Sequence, residues 1–236
     1  PPRSTLFPYT TLFRSGYFMT GTIYQPNFHE SQRVQTQPLP VVLAPHGHKK
    51  DKRYTEDNQH LCASLARLGC FVFTWDMVGY ADNTQTDHKI LSAGMIQTWS
   101  SIRALDFILS DSHIPQIDST RIGVTGGSGG GTQTFLLTAI DDRVTACAPV
   151  VMVSSFFFGG CICESGLPIH KTKDYATNNA EISAMAAPRP KLIVSDGGYW
   201  TRMTPIWEYP FIKRIYNLYG KGENLETVNL PNEVNY

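Results

Sequence analysis

The sequence predicts an α/β protein: a mostly parallel sheet with helices on both faces. Three observations carry that expectation. Apolar runs of strand length alternate with stretches of helix length. The runs lack strict in–out alternation, as strands buried on both faces do. One strand-to-helix junction is built almost wholly of glycine around a serine. At 236 residues and 42% hydrophobic, the chain can bury one sizeable core, and no linker divides it.

Taken in order, 17–19 and 21–24 read as two short antiparallel strands joined by a tight turn. Polar 25–40, with three prolines, reads as a loop. The apolar run 40–45 is a strand that leads directly into His46-Gly47-His48. Residues 59–68 form an amphipathic helix with Leu61, Cys62, Leu65 and Leu68 on one face, and Gly69 ends it. The run 70–76 is the next buried strand. The pattern then repeats: a helix over 95–109 with Ile102, Leu105, Ile108 and Leu109 inward, a strand over 121–125 and a helix over 132–140. Strands over 144–153 and 190–195, a helix over 211–219 and a strand over 225–230 complete it.

The junction Gly126-Gly127-Ser128-Gly129-Gly130 matches the Gly-x-Ser-x-Gly nucleophile elbow, with the strand before it and the helix after it that the motif requires. A serine on so sharp a turn sits in strained backbone, and side chains two positions away would collide with neighbouring elements. The following helix points its amino terminus at the serine, where free N–H groups and the helix dipole favour a developing oxyanion. A nucleotide-binding loop is the competing reading. It lacks a following Gly-Lys-Ser/Thr, and no Gly-x-Gly-x-x-Gly with a sensible acidic partner can be laid on these residues.

Twenty basic and twenty acidic residues cancel, so no broad basic surface for nucleic acid is implied. No apolar run reaches transmembrane length, so no membrane partner is expected. The five cysteines, Cys62, Cys70, Cys147, Cys161 and Cys163, are odd in number and scattered, and define no disulfide framework. The Cys161-Ile162-Cys163 spacer is too short for an ordinary zinc half-site, and no second Cys/His pair stands at zinc-finger spacing. Two thiols beside the site are expected rather than a metal; a bond between them, or to Cys147, stays open. Residues 1–15 contain a near mirror repeat, 3–7 against 11–15, with no helical or strand period. They read as translated sequencing adaptor, which places the start of native sequence near Gly16, leaves 16–236 as a single domain and implies a chain cut short at both ends.

With the strand leading into His46-Gly47-His48 and the elbow at mid-chain, the sequence resembles the α/β-hydrolase superfamily. Within it, the likeness is to bacterial acetylxylan-esterase-like and dienelactone-hydrolase-like enzymes. Supporting stretches are 44–48, 159–164 with its Cys-Ile-Cys-Glu, 195–201 and 208–211, and the resemblance runs from about Gly16 to the last residue. It implies a serine hydrolase of carboxylic esters that deacetylates a carbohydrate through an acyl-enzyme and needs no cofactor. Ser128 becomes the nucleophile, and the backbone N–H groups of Gly129 and His48 become the oxyanion donors. The rings of His46 and His48 are expected to be structural. Relatives of this type are often exported, which suggests a periplasmic or extracellular protein; the oligomeric state is not legible.

Three residues, in two places, depart from the family pattern. After the strand ending at Ser195 the pattern is Asp-Gly-x-Asp-Trp-Thr, so Tyr199 stands where the usual acid belongs and Asp196 is the carboxylate left in that turn. After 230–233 the pattern continues Gly-His-Asp-Tyr; here Val234 and Asn235 stand at the glycine and histidine positions. Each change is one G-to-T or C-to-A base change away, consistent with errors toward a fragment end or with natural loss of catalysis. A missing relay member leaves only the residual catalysis of oxyanion hole and binding, about 10³–10⁴ over water. His29, His60, His88, His113 and His170 remain as substitutes. None is placed near Ser128 by sequence, and His170 is the one expected near the pocket. A non-catalytic binding protein on the same fold is the alternative reading.

Overall fold

The computed structural model describes residues 3–5, 17–26, 37–49, 51–110, 114, 117–155, 161–165 and 170–230. Its strands are β1 (Arg3–Thr5), β2 (Gly21–Gln25), β3 (Leu39–Leu43), β4 (Phe71–Trp75), β5 (Ile117–Gly127), β6 (Ala146–Val150), β7 (Lys191–Asp196) and β8 (Leu225–Leu230). The helices are α1 (Glu56–Arg67), α2 (Ala93–Ser110), α3 (Gly129–Ile140), α4 (Ile162–Ser165), α5 (Asn179–Ala184) and α6 (Glu208–Leu218). The eight strands form one sheet in the order β1-β2-β4-β3-β5-β6-β7-β8. From β4 through β8 every pairing is parallel; β2 runs antiparallel to β4, and β1 to β2.

The two faces are covered by different helices. On β4, Phe71, Phe73 and Trp75 join Val41 and Leu43 of β3 in a core closed by Leu105 and Ile108 of α2 and Leu137 of α3. Val72 points the other way, into a cluster with Cys62 and Ala66 of α1. A third cluster packs Phe135 and Leu136 of α3 against Ile182 of α5, Ile212 and Tyr216 of α6 and Ile193 of β7. All five residues of β4 are buried, which is why its sequence shows no alternation.

Most expected elements appear within a few residues of their predicted bounds. Residues 17–19 are a correction: they form no strand, and Gly21–Gln25 pairs with β4 rather than with a hairpin partner. Thr20 explains the start, since its carbonyl accepts from the Asp76 N–H at 2.9 Å and its hydroxyl donates to Asp76 Oδ2 at 2.7 Å, pinning the chain beside β4. The phase of α1 is a second correction. Its inward stripe is Asn58, Cys62 and Ala66, whereas Leu68 is 80% exposed and Leu61 faces a cleft. Asn58 takes an inward place because its amide donates to Arg53 O and Thr74 Oγ1. Arg3–Thr5 pairs with the β2 edge through backbone, a kind of pairing that any short segment can make.

Candidate active site

Strand β5 ends at Gly127 and α3 begins at Gly129, so Ser128 is the whole of the corner between them. Its backbone sits at φ 55°, ψ −122°, a conformation costly for a residue with a side chain. Tertiary structure holds it there. The Ser128 N–H donates to Val150 O on β6 at 3.0 Å, and Ser128 O accepts from the Thr132 N–H at 3.0 Å. The chain leaving β3 closes over the corner: a Cβ on Gly126 would lie 2.2 Å from Pro45 O, and one on Gly130 2.0 Å from the same atom. Glycine is required at both places by backbone contact. Ser128 is partly exposed and lines a cleft of about 430 Å³ together with Gly47, His48, Lys52, Tyr199 and Trp200. A larger cavity, about 470 Å³, shares no lining residue with this cleft.

The Ser128 hydroxyl donates to Glu164 Oε1 at 3.0 Å, and the same oxygen lies 3.0 Å from His48 Nδ1. Glu164 is 5% exposed and sits on α4, the single helical turn after Cys161. A carboxylate thus stands between the serine and an imidazole, whereas a catalytic relay places the imidazole in the middle. Glu164 was not singled out from sequence; the only signal was its place at the end of the Cys-Ile-Cys-Glu segment.

The two histidines of the loop after β3 do different work. His46 is buried, accepts the Met77 N–H at Nε2 (3.1 Å) and bonds Gly47 O through Nδ1 (2.8 Å). Burial pushes its pKa down to about 4, which keeps the ring neutral and structural, as expected. His48 faces a polar cluster. Its Nε2 is 2.9 Å from His88 Nε2 and 3.1 Å from Cys163 Sγ; His88 Nε2 is in turn 2.9 Å from Cys161 Sγ and 3.3 Å from Cys163 Sγ. Burial alone would lower the His48 pKa, but hydrogen bonds to Cys161 and Glu164 outweigh it and lift it to about 9. The hydrogen bond from Cys163, aided by His48 and His88 against the opposing effect of burial, pushes the Cys161 thiol down to about 2. Cys163 is pushed up by that same hydrogen bond and by burial. All five cysteines are free thiols.

The spacing reading stands, since no pair at zinc-finger spacing is present, but the fold brings a second pair of metal-type donors to Cys161 and Cys163. His48 and His88 supply that pair from loops 40 residues apart in sequence, a closeness that only the fold creates.

On the far side of the cleft, Asp196 ends β7 and is 1% exposed. Its Oδ1 accepts the Gly198 N–H at 2.7 Å, its N–H donates to Thr201 Oγ1, and Oδ2 is buried with no hydrogen-bond partner among the described residues. Tyr199 is 40% exposed at the cleft wall, its ring edge-on to Trp200. Asp196 pairs in register with Leu230, the last residue of β8. Asn235 itself, His29, His113 and the aromatics 156–158 lie outside the described residues. His60 is exposed on α1 and faces Glu56. His170 is buried and bonds Asn179 through Nε2, while Asn179 donates to Met152 O.

No protein-family model matches the chain. Among solved structures it is similar to methylesterase BT1017, with 41% identity and a TM-score of 0.83, over 92% of this chain and 48% of that one. The chain therefore spans about half the length of that methylesterase. An acetyl xylan esterase, provisionally so named, from Bacteroides fragilis NCTC 9343 superposes with a TM-score of 0.69 at 14% identity, over 97% of this chain and 69% of that one; at that identity the likeness speaks to fold alone. Among curated proteins, YtaP of Bacillus subtilis strain 168, named provisionally as a hydrolase, is 26% identical over 212 residues, 79% of this chain and 69% of its own length.

Proposed function

We propose that this chain, which has the α/β-hydrolase fold and resembles esterases of that fold, is a serine-dependent hydrolase of carboxylic esters that acts on an ester-substituted carbohydrate. The observation that carries the reading is the Ser128 corner: a strained, partly exposed hydroxyl at a strand-to-helix turn, opening on a polar cleft. The methylesterase similarity supports small alkyl or acyl esters as the class of substrate.

The chemistry would run as follows. Ser128 Oγ attacks the ester carbonyl and releases the alcohol, leaving an acyl-enzyme that water then hydrolyses. The Gly129 N–H, among the first-turn donors of α3 without an intrahelical acceptor, and the His48 N–H on the closing loop receive the oxyanion. Each such donor contributes roughly 3–4 kcal/mol to the transition state. Asp196 is the carboxylate suited to orient an imidazole at position 235, since one of its oxygens is already fixed by Gly198 and the other is open. Asparagine at 235 supplies no base. The Ser128 hydroxyl instead donates to Glu164 Oε1, and a carboxylate is a weaker general base than an imidazole for an alkoxide-forming step.

Labelling with a fluorophosphonate probe tests the reading. The Asn235→His chain should label at Ser128, and adding Ser128→Ala should abolish the band. A folded Asn235→His protein that neither labels nor hydrolyses p-nitrophenyl acetate, with or without Tyr199→Asp, would refute the esterase reading and favour a binding protein on this scaffold.

A further inference from the structure

We infer that His48, His88, Cys161 and Cys163 form a tetrahedral zinc(II) site that clamps the loop over Ser128 to the segment carrying Glu164. The inference is separate from the esterase reading and does not rest on it. The four donor atoms lie within 4.8 Å of one another. Their separations, 2.9 Å between the two Nε2 atoms and 2.9–3.3 Å between nitrogen and sulfur, approach the edges of a small tetrahedron. Zinc with Zn–N of about 2.0–2.1 Å and Zn–S of about 2.3 Å has donor–donor edges of about 3.3–3.8 Å, close to the four contacts given and inside the 4.8 Å span of the whole group.

The hydrogen bonds behind the rings make the case for a cation. His88 Nδ1 lies 2.7 Å from Val78 O, and His48 Nδ1 lies 3.0 Å from Glu164 Oε1. Both acceptors are oxygens, so each ring uses Nδ1 as its outward donor and turns Nε2 toward the cluster. The two Nε2 atoms face each other at 2.9 Å, and a cation between them would let both serve as ligands. A backbone carbonyl behind one ring and a carboxylate behind the other are also the outer partners that orient zinc-bound histidines. Two thiolates balance the charge of a dication, and a Cys₂His₂ set of soft and borderline donors selects zinc over hard cations.

Four protein ligands leave no open position, so the ion would be structural. It would join three segments, the loops after β3 and β4 and the turn before α4. Two of them meet at Ser128: a Cβ on Gly129 would lie 2.5 Å from His48 Cε1, and Glu164 accepts the Ser128 hydroxyl.

The test is the metal content of the purified full chain. The protein is reduced, loaded with zinc, dialysed and measured by plasma mass spectrometry, with circular dichroism to verify folding. About one zinc per chain is expected. Cobalt-loaded protein should show the intense visible bands of a tetrahedral ion and thiolate-to-cobalt charge transfer in the near ultraviolet. Cys161→Ser with Cys163→Ser should lower zinc occupancy at least about tenfold, while Cys70→Ser leaves it unchanged. Folded wild-type chain holding less than about a tenth of an equivalent would overturn the inference. So would a cobalt spectrum without charge transfer, copper or iron in place of zinc, or an intact mass two hydrogens short from a Cys161–Cys163 disulfide. None of these readouts involves ester hydrolysis, so failure here and failure of the esterase reading are distinguishable.

Discussion

At the Ser128 corner the chain is fixed from several directions. Val150 accepts its N–H, Thr132 donates to its carbonyl, Pro45 O presses on the glycines either side, and Gly47 packs against Gly127 O and Ser128 Cβ. At the end of β7, Asp196 is buried and held by Gly198 and Thr201, while Tyr199 and Asn235, at the positions where the family resemblance expects an acid and a histidine, carry no acid and no imidazole. The Ser128 half is thus built for a demanding backbone geometry, and what the other half could do turns on side-chain identity. Losing a side chain at the second half leaves the fold untouched; losing a glycine at the first cannot.

The largest effect should come from restoring the second half. Asn235→His with Tyr199→Asp is expected to raise p-nitrophenyl acetate turnover by about 10³-fold or more. If Asp196 is the working acid, Asn235→His alone should recover most of that gain, and the Tyr199 change should add little. A single variant as inactive as the parent beside an active double variant would move the acid to position 199.

Next in size is damage to the first half. Gly130→Ala places a methyl against Pro45 O, and should cost about 2–4 kcal/mol in denaturant unfolding. An unchanged midpoint would mean that the closing loop is free to retreat, and the contrast between the two halves would fail.

A comparable but pH-dependent effect belongs to Lys191 on β7. Its ammonium is buried, donates to Ser183 Oγ at 2.7 Å, and burial lowers its pKa to about 8. The unfolded chain, with a lysine pKa of about 10.4, binds more protons between those values, so stability rises with pH across that window and the penalty is fully present below pH 8. The stability difference between Lys191→Met and wild type should therefore shift toward wild type by about 2–3 kcal/mol from pH 8 to 10.4. A difference constant with pH would show that the ammonium is not penalised by burial. The smallest effect is expected from a chain starting at Gly16, which should melt within about 2 °C of the full one; a large loss would mean that Arg3–Thr5 contributes more than an edge pairing.

What was legible in the sequence followed from local rules. The Gly-x-Ser-x-Gly corner, the β4 run and the β8 bounds each depend on neighbours within a few residues, and all appear as read. The phase of α1 was not legible: Leu61 and Leu68 look inward by period, but Asn58 finds buried partners on Arg53 and Thr74 that no helical wheel displays. The His48–His88–Cys161–Cys163 group was not legible either. Its donors come from two loops and the segment that carries α4, and a two-cysteine spacer read alone gives no hint of two histidines arriving from elsewhere.

The long reach of that group has a kinetic consequence. His48 and Cys163 stand 115 positions apart, so their meeting waits on closure of a large part of the chain. The Ser128–Glu164 contact spans only 36 positions and does not require that closure. A nascent or half-assembled molecule would thus carry the elbow and its carboxylate before the His48 loop, held through remote thirds of the polypeptide, has closed over them.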